Sequence, residues 1–251
     1  MAKRNQQQEI TRRFQAKQEI ARQRAERAPK DNRLFATIAL AAVLVTAVGQ
    51  ILYFGPGETP AASLEESVEE LTEEIEQEAP DPSLSENRDW SGSLVLNDQP
   101  LEITMFGEQA PQAVANFVSL SDAGFYQDME CHRLVTDGIF VLQCGDPSGD
   151  GSGGPGYTWG PIENAPEDDL YPAGSIAMAR AGNLGDSMGS QFFIVYEDSV
   201  IPSDVAGGYT IMGQVDNGLE TVIEIASQGT ADGSNDGTPA EPVILNSVEL
   251  Q

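Results

Sequence analysis

The sequence predicts a mainly β domain, a closed β-structure with two helical lids, standing behind a single membrane-spanning helix. Three observations carry this expectation. Residues 34–54 form an uncharged apolar stretch of 21 residues. The charge changes sign across it. From Asp89 onward, short apolar runs alternate with Gly, Pro, Asn and Asp, the punctuation of strands and turns.

Residues 1–33 hold ten of the 13 Lys and Arg against four acids, and read as a basic cytoplasmic tail. Ile10, Phe14 and Ile20 make a thin apolar face, which favours a disordered topogenic segment over an amphipathic helix on the inner leaflet. Within residues 34–54 only Thr37, Thr46 and Gln50 are clearly polar. At about 1.5 Å per residue, such a helix spans roughly 30 Å, the hydrocarbon thickness of a bilayer. The preceding basic cluster keeps the N-terminus cytoplasmic, and Tyr53 and Phe54 fall at an interfacial aromatic belt. The expected product is a single-pass protein of the cell membrane with its C-terminal domain extracytoplasmic. A cleaved signal peptide is the rival reading, with Ala61, Ala62 and Ser63 as small residues for cleavage; its apolar region would be about 7–15 residues, shorter than this one.

Residues 55–88 read as an acidic spacer and linker. Leu64, Val68, Leu71 and Ile75 share one helical face, but two heptads rimmed by acids favour a solvated spacer over an oligomerisation seam. Pro80 and Pro82 end that helix. Residues 89–251 form the folded domain. Strands are expected at 93–96, 101–105, 139–143, 175–179, 192–196, 209–215 and 243–248, with helices at 112–120 and 219–227. Pro111 suits the first turn of the former helix, Gly124 lies beyond its end, and Asp216 is placed to cap the latter.

Composition excludes several functions. The net charge of −27 opposes nucleic acid as a partner. From residue 55 onward 36 acids face only Arg88, Arg133 and Arg180. One histidine, His132, and two cysteines, Cys131 and Cys144, are too few for the usual zinc sites. The Gly-rich loop from Asp146 to Gly156 lacks the Gly-Lys-Ser/Thr ending of a phosphate loop; its acids do not fit an EF-hand, and a solvated loop is expected in preference to a calcium site. The two cysteines flank an expected hairpin, which leaves either a cross-strand disulfide or two buried thiols.

Five blocks carry a functional signal: Cys131-His-Arg-Leu-Val, Phe140-Val-Leu-Gln-Cys-Gly-Asp146, Met178-Ala-Arg-Ala-Gly182, Gly189-Ser-Gln-Phe-Phe-Ile194 and Tyr209-Thr-Ile-Met-Gly213. In order and spacing they resemble the cyclophilin family of peptidyl-prolyl cis/trans isomerases, over nearly two thirds of the chain. Membrane-tethered, extracytoplasmic forms of Gram-positive and actinobacterial type look most similar. The resemblance implies an eight-stranded antiparallel barrel capped by two helices. It implies Arg133 and Gln143 as catalytic residues. Phe140 and Phe193 then wall a proline pocket beside Val141, where methionine is usual; Gln143 and Gln191 form the polar rim. Ala179, Arg180 and Ala181 follow the bound peptide, Ile201 lies on the pocket floor, and Tyr209 stands where animal-type members have histidine. Val200 lies near the position of a tryptophan that binds cyclosporin, which leaves sensitivity to that inhibitor open.

The chemistry of the residues agrees with that function. Rotation about an X-Pro bond needs no nucleophile, proton donor or cofactor; it needs the loss of amide resonance, a barrier of roughly 18–20 kcal/mol, to cost less. A guanidinium donating to the proline nitrogen binds the twisted amide better than either planar form. Partners of such a site are proline-containing unfolded or flexible polypeptides. The alternative is a catalytically weak module of the same fold that only binds proline-containing segments. Arg180 is open to a second role, pairing with Asp186 or Glu197. By strand alternation, one of Phe192 and Phe193 must be core and His132 must face away from Arg133.

Overall fold

Alternating apolar residues at the start of the domain become a hairpin: β1 (Asp89–Leu96) pairs antiparallel with β2 (Gln99–Phe106). Its two turn residues, Asn97 and Asp98, have φ of 48° and 64°, the left-handed pair whose twist matches that of the strands. The structure, a computed structural model, describes residues 78–251. The basic tail, the expected membrane helix and most of the acidic spacer lie outside the described residues. Among the described residues no helix is long and apolar enough to cross a membrane.

Helix α1 (Pro111–Asp122) follows, with proline at its first turn and Gly124 beyond its end in the left-handed region, φ 68°. Ala110 supplies no side-chain cap. The carboxylate of Glu163, remote in sequence, accepts the backbone N–H groups of Gln112 and Ala113 at 3.0 Å each. This places a negative charge on the positive end of the helix. The chain continues through β3 (Met129–Glu130), β4 (Arg133–Asp137), β5 (Ile139–Cys144), β6 (Leu170–Tyr171), β7 (Ser175–Met178), β8 (Phe192–Val195), β9 (Ser199–Val200) and β10 (Ile211–Asn217). Helix α2 (Leu219–Ser227), β11 (Asp236–Gly237) and β12 (Ile244–Leu250) complete it. Asp216 does not cap α2. That position is Gly218, at φ 90°, while the Asp216 carboxylate accepts from Thr104 Oγ1 and Gln214 Nε2, both at 2.6 Å.

Ten strands join in the order β11-β4-β5-β8-β7-β10-β2-β1-β12-β3, all antiparallel. The two ends of that order are one place. β3 and β4 are two halves of a single strand interrupted at Cys131 and His132; the first half pairs with β12 and the second with β11. Counting β3 with β4 and β11 with β12 gives eight strands in a closed ring, the barrel that the resemblance implies. Closure removes the exposed edges that an open sheet would present.

The strands around the site are buried on both faces. Leu134, Leu142, Ile176, Met178, Phe192, Ile194 and Met212 point into the barrel, joined by Phe117 of α1 and Val222 of α2. Val135, Val141, Ala177, Phe193 and Val195 point outward, where Tyr171 and Ile201 cover them as a second, smaller core. Of the adjacent phenylalanines, Phe192 is therefore the core residue, edge-on to Phe117 with ring centroids 5.4 Å apart. Cys131 and Cys144 form a disulfide with Cα atoms 4.0 Å apart. It ties the interruption of the β3–β4 strand to the end of β5. A loop of this size contributes about 3 kcal/mol by restricting the unfolded chain.

Candidate active site

β4 and β5 pair with Arg133 directly opposite Gln143, and β5 and β8 pair with Gln143 opposite Phe193. Three side chains implied by the resemblance are thus set side by side on the outer face by strand register alone. Together with Ile139, Val141, Ala179, Arg180, Ile201 and Tyr209 they line a cavity of about 210 Å³. A second cavity, of about 360 Å³, shares Gln143, Ala179 and Arg180 with it and extends past Ala181 and Gln191 to the loop around Gly153. The two adjoin across these shared residues and are together called the groove.

Phe140 is not in this groove. The alternation that presents Ile139, Val141 and Gln143 outward turns Phe140 inward, where it packs against the main core with its ring 5.9 Å from that of Tyr196. Its expected place in the pocket wall is filled by Ile139, which sequence reading missed because an isoleucine at a strand start carries no functional signal. His132 lines neither cavity. It is half-buried, its Nδ1 has no partner among the described residues, and burial holds its pKa below the usual imidazole value.

A chain of hydrogen bonds crosses the groove. Arg133 donates from Nε and Nη2 to the two carboxylate oxygens of Asp236, at 2.7 Å each, and from Nη1 to Gln143 Oε1 at 3.1 Å. Gln143 Nε2 donates to Gln191 Oε1 at 2.8 Å, and Gln191 Nε2 donates to the carbonyls of Gly151 and Gly153. Each amide orientation follows from its neighbour, so the chain has one direction. Two of the five guanidinium N–H groups of Arg133 have no partner among the described residues and can face a ligand.

Arg180 is built differently. Its side chain is wholly buried and pairs with Asp204, not with Asp186 or Glu197. The guanidinium lies 4.6 Å over the ring of Tyr209. Tyr209 in turn donates its backbone N–H to the Tyr171 hydroxyl at 2.7 Å and stands edge-on to Phe193. Ile201 is buried beside them, its N–H bonded to the Asp169 carbonyl at 2.9 Å. Arg180 therefore lines the groove while anchoring the loop that forms its floor. Asp204 and Asp236, both partners of site arginines, lie in Gly- and Asp-rich stretches of sequence that offer only turn signals. The available clue is that each arginine of a domain so short of cations has many acids to choose from.

The Gly-rich loop folds around its own acid. Asp146 is buried and accepts backbone N–H groups from Ser148 at 2.7 Å, Asp150 at 3.0 Å and Gly151. Glu163 is engaged at α1. Among the described residues no three His, Cys, Asp or Glu side chains gather as a metal site would require.

Hydrogen bonds from Arg180 hold the Asp204 carboxyl well below its usual value of 3.8, and those from Arg133 lower that of Asp236. A carboxyl whose folded pKa is depressed stabilises the fold above its unfolded pKa, and that contribution is lost as pH falls through the folded one. The melting temperature is therefore expected to fall progressively below about pH 4. Scanning fluorimetry of the wild type and Asp204→Asn should show a shallower acid limb in the variant; equal slopes would remove Asp204 from the explanation.

Comparison with known proteins places these features. The family model described as "Cyclophilin type peptidyl-prolyl cis-trans isomerase/CLD" matches residues 93–250. The chain is 41% identical over 172 residues to "Probable peptidyl-prolyl cis-trans isomerase B" of Mycobacterium tuberculosis, covering 64% of this chain and 54% of that protein. It is 40% identical over 131 residues to "Peptidyl-prolyl cis-trans isomerase B" of Bacillus subtilis, covering 52% of this chain and 86% of that one. The chain thus spans about half the length of the mycobacterial relatives. Its fold is similar to the crystal structure of a cyclophilin type peptidyl-prolyl cis-trans isomerase of Cryptosporidium parvum, with TM-score 0.55 and 28% identity over 65% of this chain and 98% of that one. A structure of that protein in the presence of the dipeptide Ala-Pro matches with the same TM-score, 0.55, at 29% identity, over 64% of this chain and 98% of that one.

Proposed function

Because the chain belongs to the cyclophilin-type peptidyl-prolyl cis-trans isomerase family, we propose that it isomerises X-Pro bonds in exported or cell-envelope polypeptides. The observation that carries this reading is Arg133, opposite Gln143 at the rim of a cavity with Val141, Phe193 and Ile201 on its wall, with two N–H groups that have no partner among the described residues. Val141, Phe193 and Ile201 give a proline ring a dry seat. The planar amide delocalises its nitrogen lone pair; as the bond twists the pair localises, and a guanidinium N–H has an acceptor that neither planar isomer offers. Gln143 holds the guanidinium edge and Gln191 holds Gln143. No group must gain or lose a proton. Uncatalysed isomerisation takes tens to hundreds of seconds, so this activity would remove a slow step of folding. The test is direct measurement of cis/trans exchange on a proline peptide, with Arg133→Ala as the control.

The chain's place in the cell belongs to the same proposal: a single-pass anchor at residues 34–54, the tail at 1–33 cytoplasmic, the linker at 55–88, and the isomerase domain at 89–251 outside, a membrane-anchored form of actinobacterial type. The uncharged stretch and the basic segment before it support this topology. So does the Cys131–Cys144 disulfide, which suits an oxidising compartment. Protease added to wall-stripped cells is expected to remove a C-terminal epitope and spare an N-terminal one; the converse pattern refutes the topology.

A further inference from the structure

We infer that Asp236 is a positioning residue of the site, fixing the Arg133 guanidinium in the one orientation that presents its free N–H groups to the twisted amide; the inference rests on the isomerase reading. An arginine side chain that is 41% exposed has several rotatable bonds and, unpartnered, samples many directions. A single-point surface pair would restrain it little. The contact with Asp236 is of another kind: two parallel N–H···O bonds of 2.7 Å, which fix the plane of the fork as well as its position.

The carboxylate is itself firmly mounted. Asp236 lies in β11, paired with Val135 two residues beyond Arg133 on the same strand. Ser234 donates its N–H to Asp232 at 3.0 Å and lies with Oγ 2.6 Å from the same carboxylate and 2.9 Å from the Asp236 carbonyl, one hydroxyl proton shared between the two acceptors. The acid takes the Nε edge of the guanidinium, so the Nη1 edge is left to Gln143 and the cavity. On the isomerase reading the proline ring is seated by Val141, Phe193 and Ile201, so misorienting the arginine should affect the barrier far more than binding.

The experiment uses the full-length chain in detergent and exchange NMR on a short X-Pro peptide, which reads both directions of isomerisation without a coupling protease. Asp236→Ala is expected to lower kcat roughly 10- to 100-fold with KM within about twofold of wild type. Asp236→Asn keeps one acceptor for the fork and should recover part of the loss. The ¹⁵Nε–¹Hε resonance of Arg133, protected by the carboxylate in the wild type, should exchange with water in Asp236→Ala. A kcat within twofold of wild type, or a rise in KM alone, overturns the inference. If Asp236→Ala does not fold, Asp236→Asn decides, and wild-type kcat with an unchanged Nε–Hε resonance overturns it. A wild-type chain with no catalysed exchange would instead overturn the isomerase reading itself.

Discussion

Arg133→Ala is expected to lower kcat/KM for X-Pro isomerisation by about 100- to 1,000-fold, the loss found when a preorganised donor to a transition state is removed. The fold should not suffer comparably. The Arg133 side chain is 41% exposed and its ion pair with Asp236 lies at the surface, so the melting temperature is expected to stay within a few degrees. Nor should Arg133→Lys restore the rate. An ammonium carries the charge but cannot engage both Asp236 oxygens and Gln143 in one plane, so its proton is not held where the amide nitrogen localises its pair. Exchange NMR on a proline peptide measures all three proteins. An alanine variant within threefold of an active wild type would eliminate Arg133 as the catalytic group; a wild type without catalysed exchange would favour a module that binds proline segments without turnover.

The second large effect is on stability, at Arg180. All five of its N–H groups are engaged: Nε with the Gly208 carbonyl at 2.9 Å, Nη1 with Ala181 O and Asp204 Oδ2, and Nη2 with Asp204 Oδ1 and Gly207 O. Asp204 also accepts the backbone N–H groups of Asn183 and Ala206. One buried guanidinium therefore holds three stretches of chain together. Arg180→Met preserves most of the volume and removes every donor, leaving carbonyls and a carboxylate without partners. The expected cost is roughly 3 kcal/mol, about 10 °C in Tm for a domain of this size. Ile201 and Tyr209 lie on the loop so released, so KM should rise as well. Chemical denaturation with a kinetic assay below the melting range tests both, and an unaltered Tm would show that the loop is held by other contacts.

Elements with strong local signals were legible in the sequence. The period of two in β1, β2 and β12 and the Pro-to-Gly frame of α1 predict their structure within a few residues. Strands β7 and β8 were legible for another reason: buried on both faces, they read as continuous apolar runs. The misplaced Asp216 shows the limit of a local rule, because a potential cap also lay within reach of Thr104 on a neighbouring strand. The same limit applies at the site. Strand register brings Arg133, Gln143 and Phe193 together, and alternation makes one of each adjacent pair face outward. Which face is outward depends on what covers it, here Tyr171 and Ile201 from distant segments. Hence Phe140 lies inside and Ile139 takes its place. Asp204 and Asp236 escaped notice because ion-pair partners 24 and 103 residues away leave no trace in local pattern.

The seam that closes the barrel also determines how stiff the site is. Arg133 opens the second half of the one strand that joins both ends of the sheet, two residues from a covalent crosslink and flanked on either side by hydrogen-bonded neighbours. To favour a twisted amide, a protein must deform less than its substrate does. A guanidinium carried on a mobile loop would yield and follow the peptide through its rotation. Mounted on the clasp of a closed ring, it would leave the peptide, on the proposed isomerase reading, as the more compliant partner, the one that bends.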